Sequence, residues 1–179
     1  MGTAAIGFFW VIQRDWRNFL NITWPDDEDA NAIVWTLSFL FGSLLVLYAL
    51  STLLGIAPNS SDLAEPASLR YYVVAIGITL FIVGPMEELF FRGIIQGYLA
   101  EQTNTTVAIL TASVLFSLFH IEPSTIGGAR ALIPSLMLLV VGIILGWSFV
   151  WTRNLAVPMV AHGLFNAIQF ALRIVELVL

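Results

Sequence analysis

The chain has 179 residues, 59% hydrophobic and 11% charged, and a mean hydropathy of +0.90. A soluble domain carries about 25% charged residues, so this composition excludes an ordinary soluble protein and predicts a multi-pass membrane protein, one domain by length. Twelve acids against seven bases, all arginine, leave a net charge of −5, which excludes a basic face for nucleic acid. The absence of cysteine excludes disulfides and thiolate-held metals.

Residues 1–30 predict an N-terminal interfacial segment and an acidic loop. The apolar run Ala4 to Ile12, closed by Arg14, Asp15 and Arg17, is too short to span and lacks a signal-peptide cleavage site. It predicts a helix lying in the interface, with Trp10, Trp16 and Trp24 at headgroup level. The run Asp26-Asp27-Glu28-Asp29 predicts a solvated loop. With the lack of lysine it also motivates a hypothesis of a high-salt habitat, where screening relieves an acidic surface. Retention of fold and activity in dilute buffer would sink that idea.

Residues 31–179 predict an all-α transmembrane bundle of about five spans. Ala32 to Leu54 is uncharged for 23 residues, about 34 Å as a helix, and makes the first span. Ile56 to Leu69, with Pro58 and Pro66, predicts a loop. Tyr71 to Met86 is apolar for 16 residues, about 24 Å, and runs without a break into a charged stretch. Pro85 cannot donate to the carbonyl of Phe81, which predicts a kink. A freed carbonyl at membrane depth is tolerated only against protein or a wet cavity. Thr106 to Ile121, Ala131 to Thr152 and Leu155 to Leu179 predict the remaining spans, separated by a loop at Glu122 to Arg130 and a turn at Arg153-Asn154. In the fourth span, Gly142 and Gly146 form a small-xxx-small pair that admits a close neighbour. Arg14, Arg17 and Arg153 fall on one side and Arg70, Arg130 and Arg173 on the other, so arginine counts set no orientation.

The chemistry concentrates in GPMEELFFRGIIQG, Gly84 to Gly97. A charge in hydrocarbon costs roughly 2.5–3.5 kcal/mol on insertion scales, so Glu87, Glu88 and Arg92 mark a functional site or a buried ion pair. On a helix Glu88 and Arg92 stand at i and i+4 and pair, whereas Glu87 is turned about 100° away and has no obvious counter-ion. The two histidines, His120 and His162, both fall in predicted spans, and His162 shares a face with Asn166. Either alone is an ordinary interhelical hydrogen-bond partner. Together with the acidic pair, on three helices, they are expected to converge.

Three chemistries compete for this set. Glu87, with His120, is a general base that activates water against a peptide carbonyl, while His162 and Asn166 stabilise the oxyanion. Alternatively Glu87, His120 and His162 hold Zn²⁺, although no HExxH motif is present. Or the groups form a transporter's proton or ion relay, although no paired repeat is found. A serine nucleophile has no supporting motif, and Ser117, three residues before His120, suggests local hydrogen bonding.

The motifs EE-xxx-R (Glu87, Glu88, Arg92), F-xxx-H (Phe116, His120) and H-xxx-N (His162, Asn166), in order on successive spans, resemble the CPBP family, whose core the resemblance places at about 71–170. These are the CAAX-processing and bacteriocin-processing intramembrane proteases, also called the Abi family. The resemblance implies a helical-bundle protease with a conical cavity open to one aqueous side and to lipid. It implies that Glu87 and His120 activate water, that His162 and Asn166 form the oxyanion site, and that Glu88 and Arg92 hold the helix in place. It favours a site without catalytic metal, with Zn²⁺ as the alternative. The implied partners are the bilayer and a membrane-associated polypeptide, CAAX-like and prenylated in eukaryotic relatives. Bacterial members are linked to bacteriocin processing and self-immunity, and some act as non-enzymatic scaffolds, so a scaffold or immunity protein is the competing class. Larger members have more spans, which leaves a smaller cavity wall or a homo-oligomer here. A prokaryotic cell membrane is the expected location.

Overall fold

The computed structural model describes residues 20–55, 68–120 and 129–179. The expected interfacial helix at Ala4 to Ile12 and nearly all of the two longer loops lie outside the described residues. Five helical rods follow in order: α1 (Asp27–Leu53), α2 (Leu69–Gln102), α3 (Thr105–His120), α4 (Ala129–Thr152) and α5 (Ala156–Val178). Among the described residues there is no strand. The chain is a multi-pass membrane protein, since α1, α2 and Ile133–Thr152 of α4 are each long and apolar enough to cross a bilayer. The third expected span is apolar but only 16 residues long. The fifth forms a helix in which His162, Asn166, Gln169, Arg173 and Glu176 dilute the apolar character.

The acidic run differs from expectation. Asp26 caps α1, its side chain accepting the Asp29 N–H at 2.9 Å, and the Asp29 carboxylate accepts the Asp26 N–H in return. Asp27, Glu28 and Asp29 thus form the first helical turn, where negative charge meets the positive end of the helix dipole. The turn between α4 and α5 is tied to the same corner. Asn154 accepts from Thr23 N–H at 3.1 Å and donates to Asp29 at 2.7 Å, and Arg153 takes a left-handed φ of 52°. The Asn21 side chain donates to the Arg153 carbonyl.

α2 is wound in an unusual way. It is α-helical over Leu69–Ile78, π-helical over Thr79–Val83, α-helical again over Gly84–Glu88 and π-helical over Leu89–Gln96. The N–H of Gly84 bonds to the carbonyl of Thr79, five residues back. The helix continues past Pro85, with a wider turn just before the proline. Such π-turns recur at functional sites.

The core joins Leu40 of α1, Phe91 of α2, Phe116 of α3, Val141 and Leu145 of α4, and Ala161 and Phe165 of α5. Trp35, Phe39, Leu45 and Val46 of α1 point outward, as apolar residues facing lipid should. Gly84 sets the distance between α2 and α5. A Cβ there would lie 2.9 Å from the backbone nitrogen of Gly163, and backbone on a packed helix cannot swing aside. Gly84→Ala should therefore cost about 1–3 kcal/mol through overpacking. Gly77→Ala, which meets nothing within 4 Å, should not, and thermal melts of both variants in detergent check the contrast.

Candidate active site

The motif residues meet where α2, α3 and α5 converge. Glu88 Oε1 lies 2.7 Å from His162 Nδ1, and Glu88 Oε2 lies 3.2 Å from Arg92 Nε. Glu88 is fully buried, so the expected pair with Arg92 forms in the dry interior. Its N–H is poorly aligned on Oε2 and Arg92 Nη1 has no partner, so the contact is an ion pair more than a hydrogen bond. Arg92 Nη2 donates to the carbonyl of Gly142 at 3.0 Å. Its guanidinium carbon sits 4.8 Å from the centre of the Phe116 ring, a cation–π separation.

Glu87 is turned away from this pair and keeps 20% of its side chain exposed. Its Oε1 lies 3.3 Å from His120 Nε2 and its Oε2 3.8 Å from His162 Nε2. The first contact is long for a hydrogen bond and the second is beyond one. His120 Nδ1 lies 2.8 Å from the carbonyl of Phe116. A carbonyl only accepts, so Nδ1 carries the hydrogen and Nε2 is the atom presented to Glu87. The same logic applies to His162: Nδ1 donates to the Glu88 carboxylate, which leaves Nε2 facing Glu87. Nε2 of His162 is a donor only when both ring nitrogens carry hydrogen.

Phe116 was legible as part of a motif, but its place is tertiary. Its ring packs 4.4 Å from that of His120 and 5.8 Å from that of His162, with Arg92 also against it. One buried ring thus spaces both imidazoles and the guanidinium. Ser117 differs from expectation: it donates to the carbonyl of Ser135 on α4 at 2.9 Å and not to a local group.

Glu87, His120, His162 and Asn166 all line one cavity of about 1260 Å³, whose walls include Leu44, Val74, Ile78, Val83, Phe165 and Phe170. Glu88 and Arg92 do not line it. The cavity runs between α2 and α5 to Arg70 and Arg173, near the start of one helix and the end of the other. The apolar walls and the few convergent polar groups at one end are the layout of a ligand site. The donor types Glu, His and His suit Zn²⁺. Among the described residues no group of three or more His, Asp or Glu side chains is arranged to hold a metal ion.

The same core matches known proteins. Residues 69–168, from the start of α2 into α5, match the family described as Type II CAAX prenyl endopeptidase Rce1-like. A curated Bacillus subtilis (strain 168) protein named "Putative membrane peptidase YdiL" is 30% identical, over 55% of this chain and 46% of its own length. A second from that organism, named "Uncharacterized protein YpbD", is 32% identical, over 46% of this chain and 36% of its own. The chain thus spans less than half the length of these curated relatives, and no solved structure matches it. The family match takes in more than half of the chain and every residue of the converging set. The chain belongs to the Type II CAAX prenyl endopeptidase Rce1-like family.

Proposed function

We propose that this chain is an intramembrane endopeptidase that hydrolyses a peptide bond of a membrane-associated polypeptide, CAAX-like and prenylated as a class. The observation that carries this reading is the convergence of Glu87, His120, His162 and Asn166 from three helices on one apolar-walled cavity. In the form that hydrolysis requires, Glu87 is a carboxylate and His120 is neutral, with its hydrogen on Nδ1. Both groups then accept, and a water between them donates one hydrogen to each. As the water oxygen attacks the carbonyl carbon, its proton passes to this pair. Collapse of the tetrahedral intermediate breaks the C–N bond, and the same proton goes to the leaving amine. Asn166 and the imidazolium form of His162 donate to the oxyanion; one such donor is typically worth about 10²–10³ in rate. The polypeptide reaches the site from the bilayer of a prokaryotic cell, and a second copy of the chain completes the cavity wall if the five helices leave it open.

In this reading no step is routed through a metal. The test is reconstitution. In proteoliposomes the wild-type chain should cut a membrane-anchored polypeptide at one bond, and treatment with a chelator should leave the rate unchanged. Loss of activity on chelation, restored by Zn²⁺, would transfer the mechanism to the zinc reading. An undiminished biological effect in cells carrying a Glu87→Ala chain would assign the protein to the scaffold or immunity class.

A further inference from the structure

α4 carries none of the reactive groups, yet two buried side chains of α2 are anchored to its backbone. Arg92 Nη2 donates to Gly142 O at 3.0 Å, and Gln96 Nε2 donates to Gly146 O at 3.0 Å. Arg92 and Gln96 are 1% and 2% exposed. The donors are four residues apart on α2 and the acceptors four apart on α4, so the two bonds form successive rungs between parallel rods. Glycine is needed at the acceptors. A Cβ at Gly142 would come within 2.9 Å of Ser113 Cβ, and one at Gly146 within 2.7 Å of Gln96 Oε1. One rung alone holds a point and leaves α2 free to pivot about it; the second removes the pivot. Glu88 lies as many residues before Arg92 as Gln96 lies after it, so the two stand on either side of Arg92 along α2. A tilt that moves Gln96 by about 1 Å therefore moves Glu88 by a similar distance the other way, and a 2.7 Å contact opened that far is no longer a hydrogen bond.

From this lever we infer that Gln96 is a positioning residue: its amide bond to Gly146 holds the register in which Glu88 meets Nδ1 of His162. Its meaning for catalysis rests on the proposed hydrolytic reading; the geometric claim does not. The chain has two histidines, so imidazole ¹⁵N spectra resolve each ring directly. In Gln96→Met, which keeps the length and loses the donor, the His162 Nδ1 signal should lose its hydrogen-bonded shift while the His120 signals stay in place. With an assayable substrate, kcat should fall about tenfold with KM within about twofold, the split expected when orientation and not binding is lost. The pH profile of kcat should move with it. A folded Gln96→Met with an unchanged His162 spectrum overturns the inference, whether or not any substrate is cleaved. If Gln96→Met does not fold, Gly146→Ala takes its place, because the atoms nearest its Cβ are the Gln96 side-chain tip and Ile109 Cγ2. The same loss of the His162 Nδ1 shift is then expected, and an unchanged spectrum again overturns the inference.

Discussion

Glu87→Gln is expected to lower kcat by about 10²–10⁴, the range that a positioned general base supplies, while leaving the melting temperature near that of the wild type. The amide keeps the size of the side chain and still offers a hydrogen bond to His120, so the packing against α3 survives. What it loses is the ability to take a proton from water. Glu87 is partly exposed on the cavity and belongs to no dry ion pair, so removing its charge strands no buried partner. Single-turnover cleavage and a thermal melt on the same preparation check both halves. Activity within a few-fold of wild type removes Glu87 from the chemistry.

Its neighbour should behave in the opposite way. Glu88→Ala leaves the Arg92 guanidinium buried without its carboxylate and His162 Nδ1 without its acceptor. Breaking one side of a buried pair typically costs about 3–5 kcal/mol, so this variant should lose folded protein first. Activity falls as well, because His162 is no longer oriented. The double variant Glu88→Leu with Arg92→Met separates the two effects. With both charges gone, stability should return close to wild type, since apolar replacement of a buried pair is often neutral. Activity should not return, because nothing holds His162 Nδ1. A double variant that is stable and fully active would show that the Glu88–His162 contact is packing alone.

In the proposed mechanism the two adjacent glutamates divide the work by one helical step of about 100°. That step is legible in the sequence, and it correctly pairs Glu88 with Arg92 and leaves Glu87 apart. Not legible is the second partner of Glu88. His162 lies 74 positions away, and no local rule connects them. The contact exists because Gly84 and Gly163 let the α2 and α5 backbones approach closely, one turn before Glu88 and one residue after His162. Beside Pro85, Gly84 suggests a flexible point; its use is this approach. Likewise Gln96 offers no signal beyond being polar in an apolar segment, and the Asp26–Asp29 run reads as loop because acidity alone does not reveal a capping box.

By itself the amino-acid order determined that this chain enters a membrane as helices, where most of those helices lie, and which few polar side chains stand out within the apolar runs. Hydrophobic runs and intrahelical spacing depend only on neighbours along the chain, so they can be read without coordinates. Tertiary structure alone decided that Glu87, His120, His162 and Asn166 share one cavity, that a single phenyl ring spaces both imidazoles and the guanidinium, and that α4, which carries none of them, anchors α2. Those outcomes depend on how closely rods pack, and that is set where glycines on separate helices face each other.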